Sequence, residues 1–269
     1  MPPTAGLCHT ALDLVFVLDK SGSTFGQTGD IKSFVTSIVV QFELSADLTR
    51  VGIVEFSSYA RTLLELSGDP MEVHTGIRAL SEPEGLTWIS SGLQLGRDMI
   101  LAGGRSCAGS ENEEGEIVVG ETPCVIVLLT DGQQSQEFGG SAEAIDAAGS
   151  VKSTGIAVFA LGFGTAQEAT LISMASTPSE RYAFRSVDLL GIKRRYSNFC
   201  SQVMLVPPAP PAAPVPPAPP PPPAELVCYA LRYPEVLFGS CSGVLLLCDW
   251  EAVSTHWIDI GQAKGYSLQ

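Results

Sequence analysis

Three segments of seven residues, 12–18, 124–130 and 156–162, are almost continuously apolar and rich in β-branched side chains. A strand with one wet face alternates apolar and polar residues. A strand without that alternation needs cover on both faces, as in a parallel sheet sandwiched by helices. The further candidate strands are 50–57, 61–66 and a short 181–184. Between them Ile31, Phe34, Val35, Ile38, Val39 and Phe42 recur at helical spacing and form one wide apolar stripe. Segments 88–101 and 142–153 are further helix candidates. Thr165 with Glu168 has the spacing of a capping box opening a helix toward Met174. The last helix is expected over 188–204. Strand and helix alternation of this kind predicts an α/β fold: a doubly wound, Rossmann-like, mostly parallel six-stranded sheet with helices on both faces.

The alternation ends near residue 205. Residues 207–223 hold twelve prolines among seventeen residues, the remainder being Ala and Val. This composition predicts an extended polyproline spacer over 206–223. Residues 224–269, with three cysteines and two tryptophans, form a small segment of unassigned fold. The α/β domain therefore spans 8–205. Within it, 102–123 breaks the rhythm as a Gly- and Glu-rich exposed loop, with room for a hairpin around 116–119.

Seven cysteines occur, at 8, 107, 124, 200, 228, 241 and 248, none in a Cys-x-x-Cys pair. That spacing disfavours zinc. Cys8 and Cys200 bracket the α/β region, and Cys107 and Cys124 bracket the acidic loop. Two disulfides and reduced, buried thiols are the two readings. The net charge of −14 argues against a nucleic-acid partner, which requires clustered Lys and Arg. The first ten residues lack a signal-peptide pattern, and the longest charge-free run near the C-terminus, 236–248, is too short to span a bilayer. Membrane association is expected only through an anchor outside this sequence.

In doubly wound sheets ligands bind beyond the carboxyl ends of the strands, where the strand order reverses. Asp19, Ser21 and Ser23 follow the first apolar run, and Asp131 follows the fourth strand. These two strands are neighbours across the reversal in the common order, and Thr87 opens the helix leading toward the fourth strand. Five oxygen groups can thus meet at one place. Oxygen-only ligation selects a hard cation, Mg²⁺, Mn²⁺ or Ca²⁺. Two carboxylates balance the ion's charge, and hydroxyls add dipoles without charge. A coordination position remains for an acidic side chain of another protein.

This constellation resembles the von Willebrand factor A domain with its metal-ion-dependent adhesion site. The family's Asp-x-Ser-x-Ser matches Asp19, Ser21 and Ser23. Its separate threonine matches Thr87, and its Thr-Asp-Gly matches Thr130, Asp131 and Gly132. The wording around residues 13–22 and the placement of Cys8 and Cys200 look most like extracellular A domains such as those of the anthrax toxin receptor type. The resemblance implies a metal-binding, adhesion or receptor-like module outside the cell or on its surface. It implies Mg²⁺ or Mn²⁺ on Ser21, Ser23 and Thr87, with Asp19 and Asp131 bound directly or through water. The partner implied is a protein presenting Asp or Glu. The resemblance also implies a sliding last helix, with Leu189, Leu190 and Ile192 as its apolar latch.

Two other readings differ in class. One is an intracellular A domain serving as an assembly subunit, as in chelatases or transport coats. The other is a Mg²⁺-dependent hydrolase using Asp19 and Asp131. No second set of carboxylates, no phosphate-binding glycine loop and no Gly-x-Ser-x-Gly elbow accompany them, so a non-enzyme is expected. His9, His74 and His256 carry no assigned role.

Overall fold

The computed structural model describes residues 7–103, 105–111, 117–119 and 122–204. The expected spacer, the segment 224–269 and Cys228, Cys241 and Cys248 lie outside the described residues.

Six strands form one sheet: β1 (Leu12–Asp19), β2 (Thr49–Phe56), β3 (Ala60–Ser67), β6 (Cys124–Thr130), β7 (Ala157–Gly162) and β8 (Ala183–Arg185). Their order is β3-β2-β1-β6-β7-β8. All neighbours are parallel except the β2–β3 hairpin, which is antiparallel. Every residue of β1, β6 and β7 is buried, as continuous apolar runs require. A second, two-stranded sheet pairs β4 (Ala108–Glu111) with β5 (Ile117–Val119), the hairpin for which the acidic loop had room.

Helices cover both faces. On one lie α1 (Thr28–Val39), α2 (Pro70–Arg78), α7 (Leu189–Arg195) and α8 (Phe199–Met204); on the other lie α3 (Ile89–Ala102), α4 (Gly140–Ser153) and α5 (Glu168–Met174). A short α6 (Ser179–Tyr182) precedes β8. The first face is sealed by aromatic rings. Phe159 of β7 meets Tyr182 at 4.7 Å, Phe199 at 4.9 Å and Tyr196 at 6.1 Å between centroids. On the second face α3 presses close to the sheet because Gly92 and Gly96 lack side chains. A Cβ on Gly92 would stand 2.8 Å from Phe56 and 2.9 Å from Val17.

Asp13, wholly buried at the start of β1, is held by both arms of Arg50 at 2.8 and 2.6 Å and by Arg105 at 3.2 Å. A buried carboxylate persists only with such partners. Both bracketed cysteine pairs are closed as disulfides, Cys8–Cys200 and Cys107–Cys124.

Three expectations need correction. The last helix is two helices, not one: the Asn198 side chain accepts the Ser201 N–H, and Gln41 accepts the Phe199 N–H at 2.6 Å, so a new helix starts there. Thr165 does not cap α5; its hydroxyl donates to the Asp131 carbonyl at 2.8 Å. Leu190 is no inner-face residue. It is exposed, whereas Leu189 and Ile192 are buried. Helix α2 went unread, although Asp69 before Pro70 is a start signal; the Asp69 side chain accepts the Met71 N–H at 2.7 Å.

Candidate metal centre

Asp19 is the last residue of β1, and Asp131 follows β6 directly. Because β1 and β6 are paired in parallel, both carboxylates leave the same edge of the sheet. The turn after β1 brings the Ser21 N–H back onto Asp19 Oδ1 at 2.8 Å. A short 3-10 turn, Gly22–Thr24, then places Ser23 Oγ 3.0 Å from Ser21 Oγ and lets it donate to Asp131 Oδ1 at 2.7 Å. From the other side Thr130 donates to Asp19 Oδ2 at 2.6 Å. Asp19, Ser21, Ser23 and Asp131 therefore form one hydrogen-bonded chain across two strand ends.

Thr87 stands on the adjoining loop. Among the described residues it shares no hydrogen bond with the other four. Its loop is pinned to theirs by the Gly22 N–H on the Gly85 carbonyl at 3.1 Å and by the Glu84 N–H on the Lys20 carbonyl at 2.8 Å. Gly85 has φ +75°, and a Cβ there would come within 2.6 Å of Ser58 Oγ, so the approach needs glycine. Thr87 is also tied to the loop after β6. Its N–H donates to Ser135 Oγ at 3.1 Å, and its carbonyl accepts the Ser135 N–H at 2.9 Å.

Sequence reasoning missed Ser135 and the Lys20–Glu84 pair. Lys20 is almost wholly buried. Its ammonium meets Glu84 at 2.8 Å, Tyr59 Oη at 3.4 Å and Glu55 at 4.0 Å. Its charge is thus spent away from the carboxylates on either side of Ser21 and Ser23. Among the described residues no ion pair involves Asp19 or Asp131.

Burial pushes the Asp19 carboxyl up to about 6. The bonds from Ser21 and Thr130 oppose that rise, and the charge of Asp131 adds to it. Burial also raises Asp131, against the bond from Ser23. Two desolvated acids without a protein cation are a poor resting place for negative charge and a good one for a positive ion. Ser23 remains exposed at the mouth. Among the described residues no three His, Cys, Asp or Glu side chains are grouped so as to hold a metal ion by themselves. The donor set is carboxylate plus hydroxyl, which fits a hard divalent ion rather than a soft one.

Known proteins resemble this chain in sequence and in fold. Mouse matrilin-4 is 33% identical over 180 residues, 66% of this chain and 27% of that protein. The human collagen alpha-6(VI) chain is 28% identical over 213 residues, 74% of this chain and 9% of that one. The chain spans well under half the length of these relatives. Among solved structures, mussel byssus proximal thread matrix protein 1, described with a zinc-occupied MIDAS motif, superposes with a TM-score of 0.57 at 24% identity, covering 74% of this chain and 46% of that one. The manganese-loaded TRAP protein of Plasmodium vivax superposes with a TM-score of 0.51 at 18% identity, covering 70% and 72%. The von Willebrand factor type A domain family matches residues 13–194, more than half of the sequence, and this chain belongs to that family.

Proposed function

We propose that the domain is a divalent-cation-dependent protein-binding module, acting outside the cell or at its surface, and not an enzyme. The observation that carries this reading is the hydrogen-bonded chain from Asp19 through Ser21 and Ser23 to Asp131, its two acids buried, its Ser23 exposed, and no ion pair made by either acid among the described residues. Asp19, Ser21, Ser23, Thr87 and Asp131 would hold Mg²⁺ or Mn²⁺. When bound, such an ion supplies a Lewis-acidic position that takes up an Asp or Glu of a partner protein. The chain's own residues do the rest. Thr130 and the Ser21 N–H orient Asp19, Ser23 orients Asp131, and Ser135 fixes the backbone of Thr87.

Matrix proteins among the relatives support an extracellular setting, as do the two closed disulfides, which persist in oxidising compartments. The zinc of the mussel protein and the manganese of the Plasmodium vivax protein support a divalent ion. Calorimetric titration with Mg²⁺ and Mn²⁺ tests the reading. Wild type should give saturable heats and Asp131→Ala should lose them. Equal heats from both proteins would remove the site.

A further inference from the structure

Large apolar side chains exposed singly on a surface are ordinary. Three here are not scattered. Phe25 is 78% exposed, Val187 84% and Leu86 43%. Each sits on a loop that touches the residues just described. Phe25 is two residues beyond Ser23, and its N–H donates to the Gly22 carbonyl at 3.4 Å. Leu86 directly precedes Thr87, and its N–H is held by Ser58 Oγ at 2.9 Å. The Val187 carbonyl accepts the N–H of Gly164 at 3.2 Å, and a Cβ on Gly164 would lie 3.8 Å from Asp131 Cβ. None of the three side chains packs in the core. The same loops carry exposed Glu82 and Asp188, and exposed Glu137 lies in the loop after Asp131. Arg185, the last residue of β8 before the Val187 loop, spends its guanidinium on the carbonyls of Ala166 at 2.6 Å and Gly164 at 2.8 Å.

We propose that Phe25, Leu86 and Val187 form an apolar collar around the metal position, and that the partner is a protein segment whose single acidic residue is flanked by large apolar side chains and, beyond them, by Lys or Arg. The proposal deepens the reading above and rests on it. The collar supplies contact area that a lone carboxylate lacks. The acidic outer ring repels further acids and attracts bases, so it selects the charge of the flanks.

Fluorescein-labelled peptides of the pattern Lys-Lys-Leu-Glu-Phe-Lys-Lys test this by anisotropy with the full chain, in Mg²⁺ and in EDTA. The comparison peptides replace Glu by Gln, Leu and Phe by Ser, or the lysines by Glu. The comparison protein carries Phe25→Ser, Leu86→Ser and Val187→Ser, all at exposed positions where the fold tolerates change. Mg²⁺-dependent binding is expected, at least tenfold weaker for the serine-flanked peptide and for the triple variant; tenfold corresponds to about 1.4 kcal/mol. The glutamate-flanked peptide should bind more weakly, and added salt should narrow that gap. Equal binding by wild type and triple variant, or no binding of any peptide at millimolar concentration, overturns the collar. Mn²⁺ calorimetry on both proteins separates the two ideas. Unchanged heats in the triple variant show the cation site intact while the collar is judged. Absence of heat from wild type overturns the metal reading and the collar together.

Discussion

The phenol of Tyr196 shows how firmly single residues are committed to the core. Burial pushes it up to about 12, against the nearby charge of Arg195. Since an exposed tyrosine ionises near 10, the neutral phenol is favoured in the folded state. Its stabilising contribution is complete below about pH 10 and disappears as pH rises to about 12, a loss of about 3 kcal/mol. Urea unfolding of wild type and Tyr196→Phe across that range should show the wild type losing the advantage and the variant not. Parallel stability curves would mean the ring is reached by solvent. At the candidate metal centre the legibility of single residues was uneven. The placement of Asp19, Ser21, Ser23 and Asp131 could be read because each lies within four residues of a strand end whose position the apolar pattern fixes. Ser135 and Glu84 could not. Their partners are 48 and 64 residues away in sequence, and a serine or glutamate in a polar loop has no local signature.

Among the elements, the central strands and α3 were legible from period and length, whereas the breaks were not. The split between α7 and α8 depends on Gln41 of a distant turn accepting the Phe199 N–H, a tertiary contact that overrides a continuous helical pattern. Leu190 fell outside the inner face for a related reason: the latch was carried over from a resemblance, while the helix turns Leu189 and Ile192 inward. Close packing of α3 gives a direct test. Gly92→Val would drive its side chain against Phe56 and Val17, costing about 1–3 kcal/mol; an unchanged urea midpoint would show that α3 can step away freely. The 81–87 loop gives another. Glu84 is exposed but Lys20 is not, so Glu84→Ala leaves a buried ammonium with only Tyr59 Oη at 3.4 Å and Glu55 at 4.0 Å and should lower global stability. It removes the Lys20 clip that holds this loop against the turn after β1. The expected result is a several-fold weaker Mn²⁺ affinity, measured on folded protein, together with a lowered urea midpoint. Identical affinity would show that the backbone bonds from Gly22 and Glu84 suffice to place Thr87.

At the scale of the molecule, two crosslinks divide the work of constraining the chain. Cys8–Cys200 closes 192 residues and joins the segment before β1 to α8, whereas Cys107–Cys124 closes 17 and ties the β4–β5 hairpin to the start of β6. Both lie away from the edge that carries Asp19 and Asp131, since Cys124 opens the strand that Asp131 follows. The unfolded chain loses more freedom when the longer loop is closed. Loop-closure entropy gives about 5 kcal/mol for the first bridge and about 3 kcal/mol for the second. Cys8→Ser with Cys200→Ser should therefore lower the free energy of unfolding by about 2 kcal/mol more than Cys107→Ser with Cys124→Ser. In both variants Mn²⁺ should bind as in wild type, because neither bridge contacts the residues at the sheet's carboxyl edge. Guanidinium unfolding and calorimetry on the same preparations decide the matter. An equal or reversed order of stabilities would mean that the ends of the domain are already held by the packing of Phe42 against Phe199, whose rings meet edge to face at 6.4 Å. In that case the long bridge would restrain fraying of the first few residues rather than the unfolded ensemble as a whole.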